Sequence, residues 1–305
     1  MKNAQRAFLL GLLSALFFAV TFVVNRMMSL EGGSWIWSAS LRFYWMLPFF
    51  LVIVLLRRNL KPLLLAIKQK PGPWLLWSTI GFGVFYAPIT YAAAFSPSWL
   101  IASTWQITII AGMLLAPFIT KNYQSSNSRN TYIFSTIILI GIAIMQIQAL
   151  ESVDLSSLLS GFFWVLVAAF AYPLGNRKMM QLCDGQLDVY QRILGMILCS
   201  IPFWLILNLY GHSTGHPAPT DNQLLQTLIV AIFSGVIATV LFFSATDMVS
   251  KDEKALAKVE ATQSAEVLFA LIGEILILKS PLPDTYALLG IVLVIIGMSL
   301  HSLKK

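Results

Sequence analysis

Residues Gly11 to Met28 read GLLSALFFAVTFVVNRMM, and residues Gly161 to Met180 read GFFWVLVAAFAYPLGNRKMM. The two stretches share a leading glycine and a closing Asn-Arg at an offset of about 150 residues, a self-similarity to be sought before any function is argued. Each approaches the length of about 20 apolar residues that a helix needs to cross a bilayer. The correspondence continues downstream in the same order. Arg42 answers to Arg192, Pro48 to Pro202 and Gly83-Val84 to Gly235-Val236. Gln106 answers to Gln263, and Thr131-Tyr132 to Thr285-Tyr286.

The surrounding chain has the same character. Of its 305 residues 58% are hydrophobic and only 11% are charged, with a mean hydropathy of +0.78. A soluble domain carries about 25% charged residues, so the sequence is that of an all-α integral membrane protein. Ten apolar segments are long enough to span, at approximately 7–28, 35–56, 74–95, 98–119, 131–149, 158–179, 187–209, 223–246, 256–278 and 284–302. The turn between the third and fourth, at Ser96-Pro97-Ser98, is very short. No stretch leaves room for a sizeable soluble domain. The first segment ends at Asn25-Arg26 without a cleavage site and reads as a retained span. Cys183 and Cys199 show neither a disulfide framework nor metal-type spacing.

Lysine and arginine accumulate in cytoplasmic loops, which sets orientation. With the N-terminus inside, the inner segments hold sixteen of the twenty, from Lys2 and Arg6 through the Arg57–Lys70 group and Lys121 to Lys304 and Lys305. Only Arg26 and Lys279 fall outside, while Arg42 and Arg192 lie within spans. The expectation is a multi-pass protein of the cell (inner) membrane with both termini cytoplasmic. The net charge of +7 then reflects loop topology and gives no reason to invoke nucleic acid.

Five spans per copy is an odd number, so the second copy enters the membrane inverted. The expected organisation is two inverted five-helix repeats, 1–150 and 151–305, forming one transport unit. Secondary transporters use this plan, with the substrate site near the midplane and the halves rocking to alternate access.

An Arg early in spans 2 and 7, the closing GIVLVIIG (Gly290 to Gly297) and the five-plus-five plan resemble the drug/metabolite transporter superfamily. Within it, VEATQSAEVLFALIGE (Val259 to Glu274) and the Asn-Arg ends of spans 1 and 6 are most similar to the multidrug resistance efflux branch. The resemblance covers the whole chain. It implies a secondary transporter, often an exporter of small organic molecules, driven by protons or by exchange. One departure stands out: Glu266 occupies about the place where many relatives have a proline, and Leu278-Lys279 the place of a glutamate.

The polar residues within the spans are few, and charged ones there are functional by default. On span 9, Glu260, Gln263, Glu266 and Glu274 share an arc of about 120°, opposite Val259, Phe269 and Leu276. Glu266 is central, Glu260 near the cytoplasmic end and Glu274 near the outer end. Ser14, Thr21 and Asn25 align on span 1 within about 40°, with Gly11 nearby. Tyr86 lies with Gly83 and Thr90 on span 3, Trp105 and Gln106 on span 4, and Tyr172 four residues before Asn176 on span 6. Together they describe an aromatic cavity with a few polar groups, the makeup of a small-molecule site. Desolvation favours the neutral form of a carboxyl group, which would let Glu266 exchange a proton or pair with a cationic substrate. The structural alternative is a glutamate neutralised by Arg42 or Arg192. Those arginines are expected either to clamp an anion or, as a symmetry-related pair, to serve structure in both halves. Pro88, Pro117 and Pro173 mark kinks, with Pro173 beside Gly175 the local hinge. Trp35, Trp37, Trp74 and Trp77, at span starts, are expected at the interfaces.

The leading function is a proton- or exchange-coupled exporter of drugs or metabolites, requiring no cofactor and no metal and working as a monomer or homodimer. His212 and His216, in a Gly- and Pro-rich stretch, read as an outer loop. Two readings compete: a metabolite permease or uptake exchanger holding an anion through arginine, and a lipid-handling protein. An intramembrane enzyme is disfavoured, since HExxH, a GxGD-type aspartate pair and an intramembrane histidine base are all missing.

Overall fold

The computed structural model describes residues 2–119, 129–149 and 154–303. Lys121, Lys304 and Lys305, counted above, and the expected repeat boundary at residue 150 lie outside these. Among the described residues the chain is helical, with no strand. Its helices are α1 (Lys2–Leu30), α2 (Trp35–Leu56) and a short α3 (Leu60–Gln69), followed by α4 (Pro71–Ala92) and α5 (Ser98–Ile119). Then come α6 (Arg129–Ala149), α7 (Leu155–Cys183) and α8 (Val189–Ser213), and α9 (Asp221–Met248). The chain ends with α10, over 253–277, and α11 (Thr285–Leu303).

Seven of these, α1, α2, α4, α5, α7, α8 and α9, are long and apolar enough to cross a membrane. The apolar stretches Ile133–Ile147 and Thr285–Leu300 are shorter, and α10 is interrupted. Side chains such as Leu9, Leu56, Phe118, Ile147 and Leu276 are exposed on the outside of the bundle. Lipid is the solvent in which that exposure carries no penalty, while the helical backbone satisfies its own polar groups.

Capping residues set several helix starts. Asp154 accepts from the Ser157 amide at the start of α7. Asp188 and Gln191 form a reciprocal capping box on α8. Thr220 caps α9, and Asp252 caps α10. The turn between α7 and α8 needs two residues at positive φ, Asp184 at 45° and Gly185 at 70°, the pattern that ends a helix in the left-handed region.

Among the described residues four helices depart from α-geometry. α4 carries a π-helical stretch at Thr79–Val84, and α9 one at Ala231–Ala238. α5 breaks at Gln106, between Ser98–Trp105 and Ile107–Ile119, and α10 tightens to a 3₁₀ turn at Thr262–Ser264, between Glu253–Ala261 and Ala265–Ile277. Such irregularities at membrane depth survive where they are buried in protein or line a cavity, and π-stretches concentrate at functional sites.

Two apolar cores divide the bundle. One gathers Phe43, Trp74, Tyr86, Met196, Trp204 and Phe242, and the other Ile89, Leu100, Ile142, Val165, Val267 and Val294. Phe85 and Tyr172 pack against both, at the seam. Close approaches fix the crossings. A methyl on Gly175 would fall on the backbone of Gly81, so α7 and α4 meet there backbone to backbone. One on Gly141 would lie 2.6 Å from the Gly290 carbonyl oxygen, which brings α6 against α11.

The expectation for Trp74 is corrected. It is 1% exposed and lies across Gly195, whose added methyl would meet the ring at 2.5 Å. The glycine opens a slot that the indole fills, so it packs the core instead of anchoring an interface. The helix α7 also runs unbroken through Pro173.

Candidate functional site

At the seam between the two cores a small cavity opens, of about 30 Å³. It is water-sized and too small for a drug-sized ligand. Helix α1 supplies Phe18, Thr21 and Phe22, and α2 supplies Arg42. The wall continues with Phe85 and Ile89 of α4, Trp105 of α5 and Tyr172 of α7. Gln263 and Glu266, at and just after the 3₁₀ turn of α10, close it. The aromatic wall is a contact cluster: ring centroids lie 4.7 Å apart for Phe85 and Tyr172, 5.2 Å for Phe85 and Trp105, and 5.5 Å for Trp105 and Tyr172.

Of the sequence-predicted residues, Glu266, Gln263, Trp105, Tyr172, Thr21 and Arg42 reach this cavity. Glu266 is 2% exposed. Among the described residues its carboxyl makes neither a hydrogen bond nor an ion pair, with Arg42 or with any other group. Tyr172 Oη is buried and likewise without a partner.

Arg42 is 3% exposed. Its Nη1 donates to Thr21 Oγ1 at 3.0 Å, and its guanidinium lies over the Tyr86 ring at 4.2 Å. Its Nε has no acceptor. Thr21 Oγ1 in turn donates to Ser234 Oγ at 2.5 Å, and Asn25 Nδ2 donates to Tyr86 Oη at 3.1 Å. Asn25 and Tyr86 therefore stand behind Arg42 as its support and do not line the cavity. Asn176 is buried nearby on α7, with its Oδ1 unpartnered.

The paired breaks meet at the floor. Gln106 Nε2 donates to the Gln263 carbonyl at 3.3 Å and to that of Ala102 at 2.9 Å. Gln263 Nε2 donates to Ser14 Oγ at 3.2 Å and to the Gly11 carbonyl at 3.4 Å. The Gln106 amide thus takes up carbonyls at the two breaks, and the Gln263 amide ties the break of α10 to α1.

Glu260 and Glu274 are placed elsewhere. Glu260 holds Arg177 at two points, Nε to Oε1 at 3.1 Å and Nη2 to Oε2 at 2.6 Å, and Arg177 Nη1 also reaches the Gly112 carbonyl at 3.0 Å. Glu274, beyond Glu266 on α10, accepts from the Ser98 hydroxyl, and from the Trp99 amide at 3.3 Å. The two flanking glutamates thus tie α10 to α7 at one end and to α5 at the other. Arg192 also differs from its counterpart. It pairs with Asp247 at 2.6 Å and lies over Phe243 at 4.6 Å, away from the cavity.

The aromatic residues Phe18, Phe22 and Phe85, the cavity's Ile89, and the partners Arg177 and Ser98 were not singled out from sequence. Phe18 and Phe22 follow the spacing of the Ser14–Thr21–Asn25 stripe, which was the available signal. Among the described residues no three His, Cys, Asp or Glu side chains come together as a metal site. His216 meets Ser34 through Nδ1 at 3.3 Å.

The family model described as "EmrE: Putative multidrug resistance efflux transporter" matches residues 5–305. The chain belongs to the multidrug resistance efflux transporter family. This family groups membrane transporters of the drug/metabolite transporter type, not enzymes, in keeping with the multi-pass apolar helices. A relative within reach is the "Uncharacterized protein YjlA" of Bacillus subtilis (strain 168), 52% identical over 311 residues, covering 98% of this chain and 94% of that protein. Another is the "Uncharacterized 42.1 kDa protein in intracellular alkaline protease 3'region" of Shouchella clausii, 48% identical over 268 residues, covering 86% of this chain and 70% of that one. A solved structure described as "Crystal structure of protein" shares the efflux-family chain's fold at TM-score 0.66 and 12% identity, covering 97% of this chain and 96% of its own.

Proposed function

We propose that this transporter exports small organic molecules by alternating access, coupled to protons or to exchange, with Glu266 as the group that takes a proton and a cationic centre in turn. The observation that carries this reading is a buried, unpartnered glutamate on an interrupted helix, facing an aromatic cavity. An ionisable residue held there without a structural partner is what a proton relay or ligand counter-charge requires. Ionised, Glu266 attracts a cationic centre; protonated, it releases one.

The inverted five-helix repeat is part of the proposal. Its supports are the matched π-stretches of α4 and α9 and the matched breaks at Gln106 and Thr262–Ser264, which recur at the sequence offset. Discontinuous helices meeting near a midplane site are a feature of such transporters. With both termini cytoplasmic, as the Lys and Arg distribution favours, the Arg177–Glu260 pair closes the cytoplasmic side and the Glu274–Ser98 bond the outer side. Transport then alternates the opening of these two ties about the broken helices. A second reading, an anion-binding permease, is favoured by one observation: Arg42 faces the same cavity without a carboxylate.

The test is flux in proteoliposomes, using compounds that stabilise the purified protein in a thermal-shift screen. An imposed pH gradient should drive their accumulation by the wild type, while Glu266→Gln, shown folded by its melting profile, should lose the accumulation. Full gradient-driven accumulation by Glu266→Gln removes the coupling role.

A further inference from the structure

Among the described residues, most buried charges have a partner: an opposite charge, or hydrogen bonds that hold the charged group. Arg177 and Arg192 are both buried and both ion-paired, to Glu260 and Asp247. Glu274, also buried, is held by Ser98 and the Trp99 amide. Arg42 and Glu266 differ from these in place: both line the cavity, and among the described residues neither meets an opposite charge. They do not pair with each other there. Thr21 and the Tyr86 ring fix the Arg42 guanidinium on the α1–α2 side, and Glu266 projects from α10.

We propose that the cavity takes a small organic zwitterion, its anionic group on Arg42 and its cationic nitrogen on Glu266. This deepens the transport reading and rests on it for the cavity being the substrate site. A singly charged ligand neutralises one of the two groups and leaves the other buried and unpaired, which is unfavourable. A zwitterion neutralises both at once, so selection against singly charged analogues is built into the site. The planar fork of an arginine with a free Nε suits a carboxylate. The Phe85, Trp105 and Tyr172 faces suit a cationic nitrogen beside Glu266. The resting cavity of about 30 Å³ must widen to receive anything. A ligand of amino-acid or betaine size asks least of it.

The experiment is equilibrium binding to the purified full-length protein at one pH and without a gradient. The probes are leucine and glycine betaine as zwitterions, leucinamide as the cation and N-acetylleucine as the anion. A zwitterion should bind at least about tenfold more tightly than either singly charged probe, a margin set by one additional charge-assisted contact. Arg42→Gln should bring leucine down to the level of leucinamide, and Glu266→Gln should bring it down to that of N-acetylleucine. Arg42→Lys keeps the charge and should keep the rank order, which separates the binding role from a folding defect. The proposal is overturned if leucinamide or N-acetylleucine binds as tightly as leucine, or if folded wild-type protein binds neither zwitterion at millimolar concentration. With no gradient present, this rank order can fail while proton-driven flux of another compound persists, and the converse, so the two readings fail separately.

Discussion

Arg177 and Glu260 meet as a two-point ion pair, 2.6 Å at its shorter contact, and join α7 to α10 across 83 residues of sequence. The side chains are 9% and 16% exposed, so little water screens them. Removing one partner of a fully buried ion pair costs about 3–5 kcal/mol, and Arg177 keeps the Gly112 carbonyl in such a variant, which softens the loss. Glu260→Ala should therefore lower the denaturation midpoint markedly, and Glu260→Gln, which keeps a hydrogen bond to the guanidinium, should lower it less. Equal midpoints for Glu260→Ala and wild type would show that the pair holds nothing together.

Arg42 and Arg192 should respond in opposite directions to the same change. Arg192→Met leaves Asp247 without its partner and should lower stability, by less than a fully buried pair would because Asp247 is 33% exposed. Arg42→Met removes a buried charge that has no counter-charge, so its stability should match or exceed the wild type, with ligand binding lost. Thermal denaturation of both variants, run side by side, checks this. A large loss of stability in Arg42→Met would give that residue a structural role.

Gly175→Ala places a methyl on the Gly81 backbone. Helices α4 and α7 must separate to admit it, and overpacking of this kind costs about 1–3 kcal/mol. Gly72→Ala, where nothing lies within 4 Å, is the control that isolates the crossing from a general glycine effect. The midpoint should fall only in the first.

Much of the helical framework was legible because its signal is local. The segments read at 35–56 and 98–119 are the observed Trp35–Leu56 and Ser98–Ile119, each set by an apolar run with polar or proline punctuation. The 3₁₀ turn at Thr262–Ser264 and the π-stretches were not legible. They shift the helical register by about one residue per turn and leave composition and hydropathy untouched. Partner choice was illegible for a different reason. The sequence put Glu260, Glu266 and Glu274 on one face, and nothing local says that Arg177 and Ser98 take the outer two and leave Glu266 alone. Trp74 was misread because a tryptophan at a helix start suits an interface equally well, and only the distant Gly195 decides that it is buried.

At the start of α7, outside the apolar span, the Ser156 hydroxyl and the Ser157 amide and hydroxyl hold the Asp154 carboxyl well below the usual carboxylate range. A carboxyl lowered on folding contributes stability above its ordinary pKa and loses it only as pH falls through the lower folded value. The cap should therefore be intact throughout transport assays between about pH 5 and 8. Hydrogen exchange at the Ser157 amide, corrected for intrinsic rates, should stay flat over that range and quicken in Asp154→Ala. A step in wild-type protection within it would contradict the assignment and complicate any pH effect ascribed to the cavity.

Glu266 is proposed to carry the proton that is exchanged for substrate. The most direct test runs the coupling backwards: proteoliposomes start at equal pH, a downhill substrate gradient is imposed, and internal pH is followed with a trapped dye. Wild-type protein should move protons as substrate flows, and Glu266→Gln, though folded, should give no pH change. Proton movement by Glu266→Gln at the wild-type rate would contradict the account.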